Sequence, residues 1–238
     1  MVYHALSAEL IREITEAVLE SEQDPTIRVL VLTAEGDKAF CSGADLKTAM
    51  ESGKTAGEML REGYNPMIQA IRNIPKPVIC RLNGLAVGAG CSLALACDLV
   101  IANEETYLSQ MFVQIGLMPD AGSSFFLPRI VGMSRAFEIA STGRKVYAKE
   151  AVQIGMISTC VPASQLDEAV EKAIFYYRNA PTKAIAAIKQ VFNQSFGATL
   201  SEMLSLEAET QDNLYKTQDA VEGISSFLQK KKPEYQGR

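Results

Sequence analysis

The chain has 238 residues, 47% of them hydrophobic and 21% charged, a globular composition long enough to bury a substantial core. Its formal net charge of −5 argues against nucleic acid as the main partner, because phosphate binding relies on clustered Lys and Arg. The one basic cluster, Lys230-Lys231-Lys232, reads as a solvated helix end.

In chain order, LSAELIREITEAVLES carries apolar residues at helical spacing behind a Ser7 cap, with Glu9 and Glu13 in the opening turns. This predicts an amphipathic helix. IRVLVLTA, residues 27–34, is β-branched and compact and predicts a buried strand. The turn-rich EGDKAFCSGADLK leads into TAMESGKTAGEM, residues 48–59, a segment expected to be mobile. A helix over 58–73 ends at the punctuation of Pro75 and Pro77. PVICRL predicts a strand, followed by a Gly-rich turn, a helix from about Ala89, a strand from about Asp98 and a short strand at Tyr107 to Ser109. From Ser134 the pattern turns helical through SRAFEIASTG and YAKEAVQIG, then a short STCVP strand and SQLDEAVEKAIFYYRNAP up to Pro181. Three more helical stretches cover 182–193, 199–215 and 217–230. Strands alternating with helices predict an α/β core over 1–180, and the all-helical 181–238 reads as a separate unit. Its apolar positions, Leu200, Met203, Leu206, Leu214, Ile224 and Phe227, need a surface to cover, on the core or on a neighbouring subunit.

The most apolar span, residues 82–97, is Gly-rich, holds Asn83 and is flanked by Arg81 and Asp98, too interrupted for a bilayer crossing. The opening MVYHALSAEL lacks a basic region followed by an apolar run, so a cytoplasmic protein with no membrane partner is expected. Cys41, Cys80, Cys91, Cys97 and Cys160 have neither paired metal spacing nor disulfide-scaffold density, and read as buried free thiols. The single histidine, His4, lies at the extreme N-terminus, so neither a His-based triad nor a metal site is expected.

IGLMPDAGSSFFLPR, residues 115–129, sets one carboxylate, Asp120, in an apolar, Gly/Ser-rich stretch. Two readings compete: Asp120 caps a short helix from Ala121, or it does chemistry. Two other turns stand out, Ser42-Gly43-Ala44-Asp45 and NGLAVGAGCSLALACD with Gly84, Gly88 and Gly90. Gly-rich strand-to-helix turns expose backbone N–H groups that suit anions or oxyanions. Gly88-Ala89-Gly90-Cys91-Ser92-Leu93 lacks the third glycine of a dinucleotide fingerprint, and there is no Walker motif.

Together, AFCSGADLK, PKPVICRLNGLAVGAGCSLALACDLVIA, IGLMPDAGSSFFLPRIVG and the closing EGISSFLQKKKP resemble, in that order, the motifs of the crotonase superfamily, the enoyl-CoA hydratase/isomerase family. The resemblance runs from about residue 5 to the end. It implies a spiral of ββα turns and a C-terminal helical part that builds trimers, often paired into hexamers. It also implies a CoA thioester as substrate, with coenzyme A part of the substrate and no other cofactor. The family's oxyanion donors match the backbone N–H groups of Ala44 and Ala89. Around them, Cys41, Ser42, Gly43, Asp45, Leu46, Gly88 and Phe112 are implied as substrate-binding. Phe227 and Lys230 match the closing-helix pattern and are expected to contact the CoA moiety, across a subunit boundary.

Departures from the pattern bear on the reaction. Family hydratases use two glutamates, whose positions here are Ser92 and Phe112; neither does acid–base work. Asp120 matches the position where isomerases of the family, such as the ring-epoxide isomerase of phenylacetate breakdown, carry an aspartate. An acyl-CoA isomerase with Asp120 as its proton carrier is therefore expected. The alternatives are a hydratase with an unrecognised acid and a non-catalytic acyl-CoA-binding protein. A dehalogenase also places an aspartate there, supported by aromatic residues and a histidine; the absence of Trp and the remoteness of His4 disfavour it. An RNA-binding role, known in one relative, is disfavoured by the acidic balance. Phe112, Phe125 and Phe126 read either as an apolar wall of the acyl pocket or as ordinary core. The family's N-terminal β-hairpin has no counterpart ahead of HALS, which predicts an exposed sheet edge.

Overall fold

The first three turns of the chain each lay one short strand into each of two sheets before the chain crosses over through helix, in the computed structural model, which describes residues 3–238. One sheet is parallel throughout, in the order β1 (Leu30–Leu32), β3 (Val78–Leu82), β5 (Leu99–Asn103), β8 (Thr159–Val161). The other runs β2 (Ala39–Cys41), β4 (Leu85–Val87), β6 (Tyr107–Ser109), with β7 (Lys145–Tyr147) antiparallel at its edge. β1 to β6 therefore alternate between the sheets, which is the ββα spiral that the sequence motifs implied; the last pair breaks the alternation, β7 joining the sheet of β6 before β8 returns to the other. Among the described residues no helix is long and apolar enough to cross a membrane.

α1 (Ala8–Gln23) starts as predicted, with the Ser7 hydroxyl accepting the Leu10 N–H at 3.1 Å, and buries Ile11 and Val18. α5 (Ala89–Ala96) is buried at every residue, so it has no polar face to show. It packs with Met67 and Ile71 of α4 (Asn65–Asn73), and with Leu82 and Leu108 of the two sheets, in one continuous core.

Three expectations are corrected. The strand over 27–34 shrinks to β1 and is not buried: Val31 is 37% exposed, because β1 lies at the sheet edge and pairs only with β3. The segment 48–59, expected as a mobile stretch, holds two short helices joined through residues 52–55. Asp45 caps α2 (Leu46–Glu51), and Thr55 with Glu58 forms a capping box on α3 (Ala56–Met59), so local side-chain bonds satisfy both helix starts. The helix over 58–73 contains a π-turn, Leu60–Tyr64, between α3 and α4. All five cysteines are free thiols; four are buried, while Cys160 is half-buried.

The C-terminal helices are α10 (Thr182–Gln194), α11 (Leu200–Leu214) and α12 (Gln218–Leu228), after α9 (Leu166–Arg178). α10 is anchored to the core by Lys189. Its ammonium donates to the carbonyls of Ile71 (2.8 Å) and Lys76 (3.1 Å) and to Asp98 Oδ2 (2.8 Å). Three donors thus meet three acceptors from different elements. Asp98 also accepts from the Val78 N–H (2.8 Å) and pairs with Arg72 (3.1 Å), which in turn bonds Asn193 on α10. Removing one partner of a buried pair strands the other charge, typically at 3–5 kcal/mol. Lys189→Met is expected to cost about 3 kcal/mol, toward the low end because Arg72 still faces Asp98. Urea denaturation measures it, and a loss below about 1 kcal/mol would show that Arg72 alone suffices.

Candidate active site

The two glycine turns meet backbone to backbone. β2 carries an irregularity in its register with β4 between Ala39 and Cys41, and the chain then bends through Ser42, Gly43 and Ala44. Gly43 sits at φ +99°, and a Cβ there would lie 2.9 Å from the Val87 carbonyl oxygen and 3.6 Å from the Ala89 nitrogen. Only glycine allows this approach. Opposite it, β4 ends at Val87, Gly88 takes φ +54°, and α5 begins at Ala89. The Leu6 N–H donates to Gly43 O and the Leu6 carbonyl accepts from Asp45 N, bracketing Ala44. Among the described residues neither the Ala44 nor the Ala89 N–H has an acceptor. Ala89, as the first residue of α5, has none within its helix.

Both alanines line a cavity of about 210 Å³. Hydrocarbon side chains make most of its wall, including Leu46, Met59, Leu60, Met111 and Phe112. Asp120 is the single carboxylate in the lining. A larger hollow of about 480 Å³ lies between α1 and α2 to α4, sharing Ala49, Met59 and Tyr64 with the first. Neither Ala44 nor Ala89 borders it, so the unpaired N–H groups and Asp120 converge on the smaller cavity alone.

Asp120 is not a helix cap. α6 (Ser123–Val131) starts three residues later, its N-cap is Gly122, and no side chain caps it. Between them, Ala121 and Gly122 both have positive φ, +47° and +84°. That is uncommon for alanine and marks local strain held by its surroundings. The Asp120 carbonyl, not its carboxylate, accepts the Ser123 N–H at 3.0 Å. Its Oδ1 is buried with no hydrogen-bond partner. Burial without compensation pushes the carboxyl up to about 6.

A buried polar chain holds this turn. Gln110 Nε2 donates to Ser123 Oγ (2.7 Å), Ser123 Oγ lies 2.8 Å from Ser92 Oγ, and Ser92 Oγ donates to the Asp120 carbonyl (2.9 Å). Ser92, which reads in the sequence only as a lost acid, thus positions the Asp120 backbone. Gln110, Ser123 and Tyr64 were not singled out by the sequence, because nothing in their spacing shows that they approach Asp120. A buried hydroxyl pair within DAGSS and GCSLA was the one available signal.

The remaining expected site residues divide. Ser42, Gly43, Leu46, Gly88 and Phe112 line the cavity. Cys41 does not: its thiol is buried beneath the turn, accepts the Gly43 N–H at 3.4 Å, and is pushed up to about 11 by burial. Asp45 caps α2 through Thr48 and borders the larger hollow instead. Phe125 and Phe126 border a separate hollow with Arg72 and Arg129, so of the three phenylalanines only Phe112 walls the cavity. Phe227 is 82% exposed near the end of α12; neither it nor Lys230 reaches the cavity within one chain. Among the described residues no group of three or more His, Cys, Asp or Glu side chains is placed to hold a metal ion.

A family model described as enoyl-CoA hydratase/isomerase matches residues 2–238. A Rhodobacter capsulatus protein named "Probable enoyl-CoA hydratase" is 40% identical over 237 residues, covering 100% of this chain and 91% of that protein. The 1,2-epoxyphenylacetyl-CoA isomerase of Escherichia coli is 34% identical over 239 residues, covering 99% and 91%. The crystal structure of an enoyl-CoA hydratase from Bacillus anthracis superposes with a TM-score of 0.90 at 31% identity, over 98% of this chain and 91% of that one. With its two glycine turns, its spiral and these matches along nearly its whole length, the chain belongs to the enoyl-CoA hydratase/isomerase family and has the crotonase fold.

Proposed function

We propose that the protein is an acyl-CoA isomerase. The thioester carbonyl oxygen accepts from the Ala44 and Ala89 N–H groups, which stabilise the enolate formed when a proton leaves the acyl chain. Asp120 takes that proton and returns it to another carbon, moving a double bond or isomerising a ring with no water added. The observation that carries this reading is that Asp120 is the single carboxylate lining the cavity. Adding water needs a base for the water and an acid for carbon. Ser92 is committed to the Asp120 carbonyl and Phe112 is hydrocarbon, so the lining offers no carboxylate beyond Asp120. The E. coli relative is an isomerase by name, which supports the same reading. The R. capsulatus relative's name supports the alternative of a hydratase. A non-catalytic acyl-CoA-binding protein is the third reading.

Self-association belongs to the proposal. α11 has no buried residue, with Leu200 75% and Leu204 56% exposed, and Phe227 projects from α12. α11 meets α10 and half-buries Met203, Leu206 and Leu214, but the leucines left exposed need a partner surface. We propose a homotrimer or a hexamer of trimers, in which Phe227 and Lys230 reach the CoA bound by a neighbouring subunit. Sedimentation at micromolar concentration is expected to give one of these; a monomer would contradict it.

Gly43→Ala forces a Cβ to within 2.9 Å of Val87 O, so the turn must shift and carry the Ala44 N–H with it. Loss of one oxyanion donor costs about 10²–10³ in kcat. Turnover of a 3-enoyl-CoA should fall by that factor in protein whose circular dichroism is unchanged, and wild-type turnover would remove Ala44 from the mechanism.

Asp120→Asn should lower turnover about 10²–10⁴-fold while CoA-thioester binding persists. In the wild type, kcat/KM should rise with pH through about 6 as the base ionises, and this limb should vanish in the variant. The stability effect has the opposite sign. A carboxyl raised in the fold favours the folded state most below its unfolded pKa, and that contribution is lost as pH rises through about 6. Above that pH the Asn variant should therefore melt no lower than the wild type. Undiminished turnover of the variant on 2-enoyl and 3-enoyl thioesters would make Asp120 a structural residue.

A further inference from the structure

Tyr64 is 9% exposed, lines the same cavity as Asp120, and makes no hydrogen bond through its hydroxyl with any described residue. A phenol with a buried ring ordinarily finds a partner for its hydroxyl. The other neutral polar side chains of the lining do not share this state. Gln114 is exposed at the rim, and Ser42 is already engaged. Tyr64 is thus the one neutral donor of the cavity wall whose ring is buried and whose hydroxyl, not itself fully enclosed, has no partner among the described residues.

Its placement depends on a local irregularity. The π-turn Leu60–Tyr64 ends at this residue, with the Asn65 N–H bonded to the Leu60 carbonyl, one residue further than in an α-helix. An extra residue in the turn re-phases the helix by about 100°, and such turns weaken the helix where they occur and cluster at functional sites. Here it places an aromatic ring with a polar tip in the wall shared by the Asp120 cavity and the larger hollow. Tyr64 stands where the Asp120 cavity and the larger hollow adjoin, one of three residues that line both.

We propose that the Tyr64 hydroxyl donates a hydrogen bond to an acceptor oxygen carried by the acyl group beyond its α-carbon, making the site selective for oxygenated acyl thioesters over plain hydrocarbon ones. The proposal rests on the acyl-CoA reading of the cavity and narrows its substrate class. The carboxylate and the phenol then divide the work: Asp120 exchanges the proton, and Tyr64 holds the oxygen that fixes the acyl group against it. Burial, reinforced by the Asp120 charge, raises the phenol far above its ordinary value, so it stays a protonated donor wherever Asp120 is ionised. The lining near it is hydrocarbon, from Ala49, Met59 and Leu60, so a hydrocarbon chain would leave the hydroxyl unpaired and an acceptor oxygen would pair it.

Calorimetric binding of hexanoyl-CoA, 4-oxohexanoyl-CoA and 5-oxohexanoyl-CoA to the wild type and to Tyr64→Phe tests this without requiring turnover. The wild type is expected to bind one of the oxo thioesters about 3–10-fold more tightly than hexanoyl-CoA, the value of one net hydrogen bond. Tyr64→Phe should bring that ratio to about one while hexanoyl-CoA affinity stays within about twofold, since the ring is kept. Equal affinity of the wild type for all three, or a preference that survives in Tyr64→Phe at unchanged melting temperature, overturns the proposal. Failure of all three to bind overturns the acyl-CoA reading itself, and this proposal with it.

Discussion

Two unpaired backbone N–H groups can face one apolar cavity only if the turns that carry them pack closer than side chains allow. The distance that matters is the 2.9 Å between the Val87 oxygen and a Cβ that Gly43 does not have. The spiral supplies the rest of that geometry. β2 and β4 are parallel neighbours, so their C-terminal ends, and the turns that leave them, emerge on the same side of the sheet. Parallel pairing thereby places the start of α5 beside the Ser42–Ala44 turn, although the two lie over forty residues apart. The full burial of α5 locks this arrangement, since no face of that helix can move toward water without exposing hydrocarbon.

Asp120 sits against this frame under strain. Two consecutive positive-φ residues, one of them an alanine, and a carboxylate oxygen without a partner are both unfavourable. They persist because the surrounding polar chain from Gln110 through Ser123 and Ser92 fixes the Asp120 carbonyl rather than its carboxylate. Hydrogen bonds in such a chain polarise one another, which strengthens the hold on the backbone while leaving the side chain desolvated. A carboxylate tied into the same network would be stable and acidic. One left beside hydrocarbon is a stronger base, at a cost to the fold that the dense core can bear.

The C-terminal helices divide between holding and offering. α10 is tied to the core by Lys189 and Asn193, whereas α11 meets α10 without fully burying any residue. The Lys189 ammonium meets the Ile71 carbonyl of α4, the Lys76 carbonyl ahead of β3 and the Asp98 carboxylate beside β5, so the position of α10 is set by polar contacts with fixed directions. Directional anchoring at one end leaves the apolar faces of α11 and α12 presented at a defined angle to whatever covers them.

Much of the fold was legible because its signals are local. The Ser7 cap, the Gly-rich turn before Ala89, the strands at 78–82 and 99–103 and the C-terminal helices all follow from periodicity and turn chemistry within a dozen residues. The capped helices in 48–59 were missed because Ser, Gly and Thr read as a loop until the Thr55–Glu58 pairing is recognised as a cap. The two glycine turns and Asp120 were legible as ordered motifs, and glycine at 43 and 88 follows from backbone needs that no other residue meets. What the chain alone could not decide was where side chains point once distant segments meet. Whether Asp120 capped or faced a cavity turned on two dihedral angles at Ala121 and Gly122, and the place of Tyr64 on a single π-turn. The withdrawal of Cys41 and Asp45 from the cavity followed the packing of their neighbours. Composition and spacing encode which residues are present and how often they recur; the desolvation that makes a carboxylate basic is a property of everything packed around it, and only the folded chain assembles that environment.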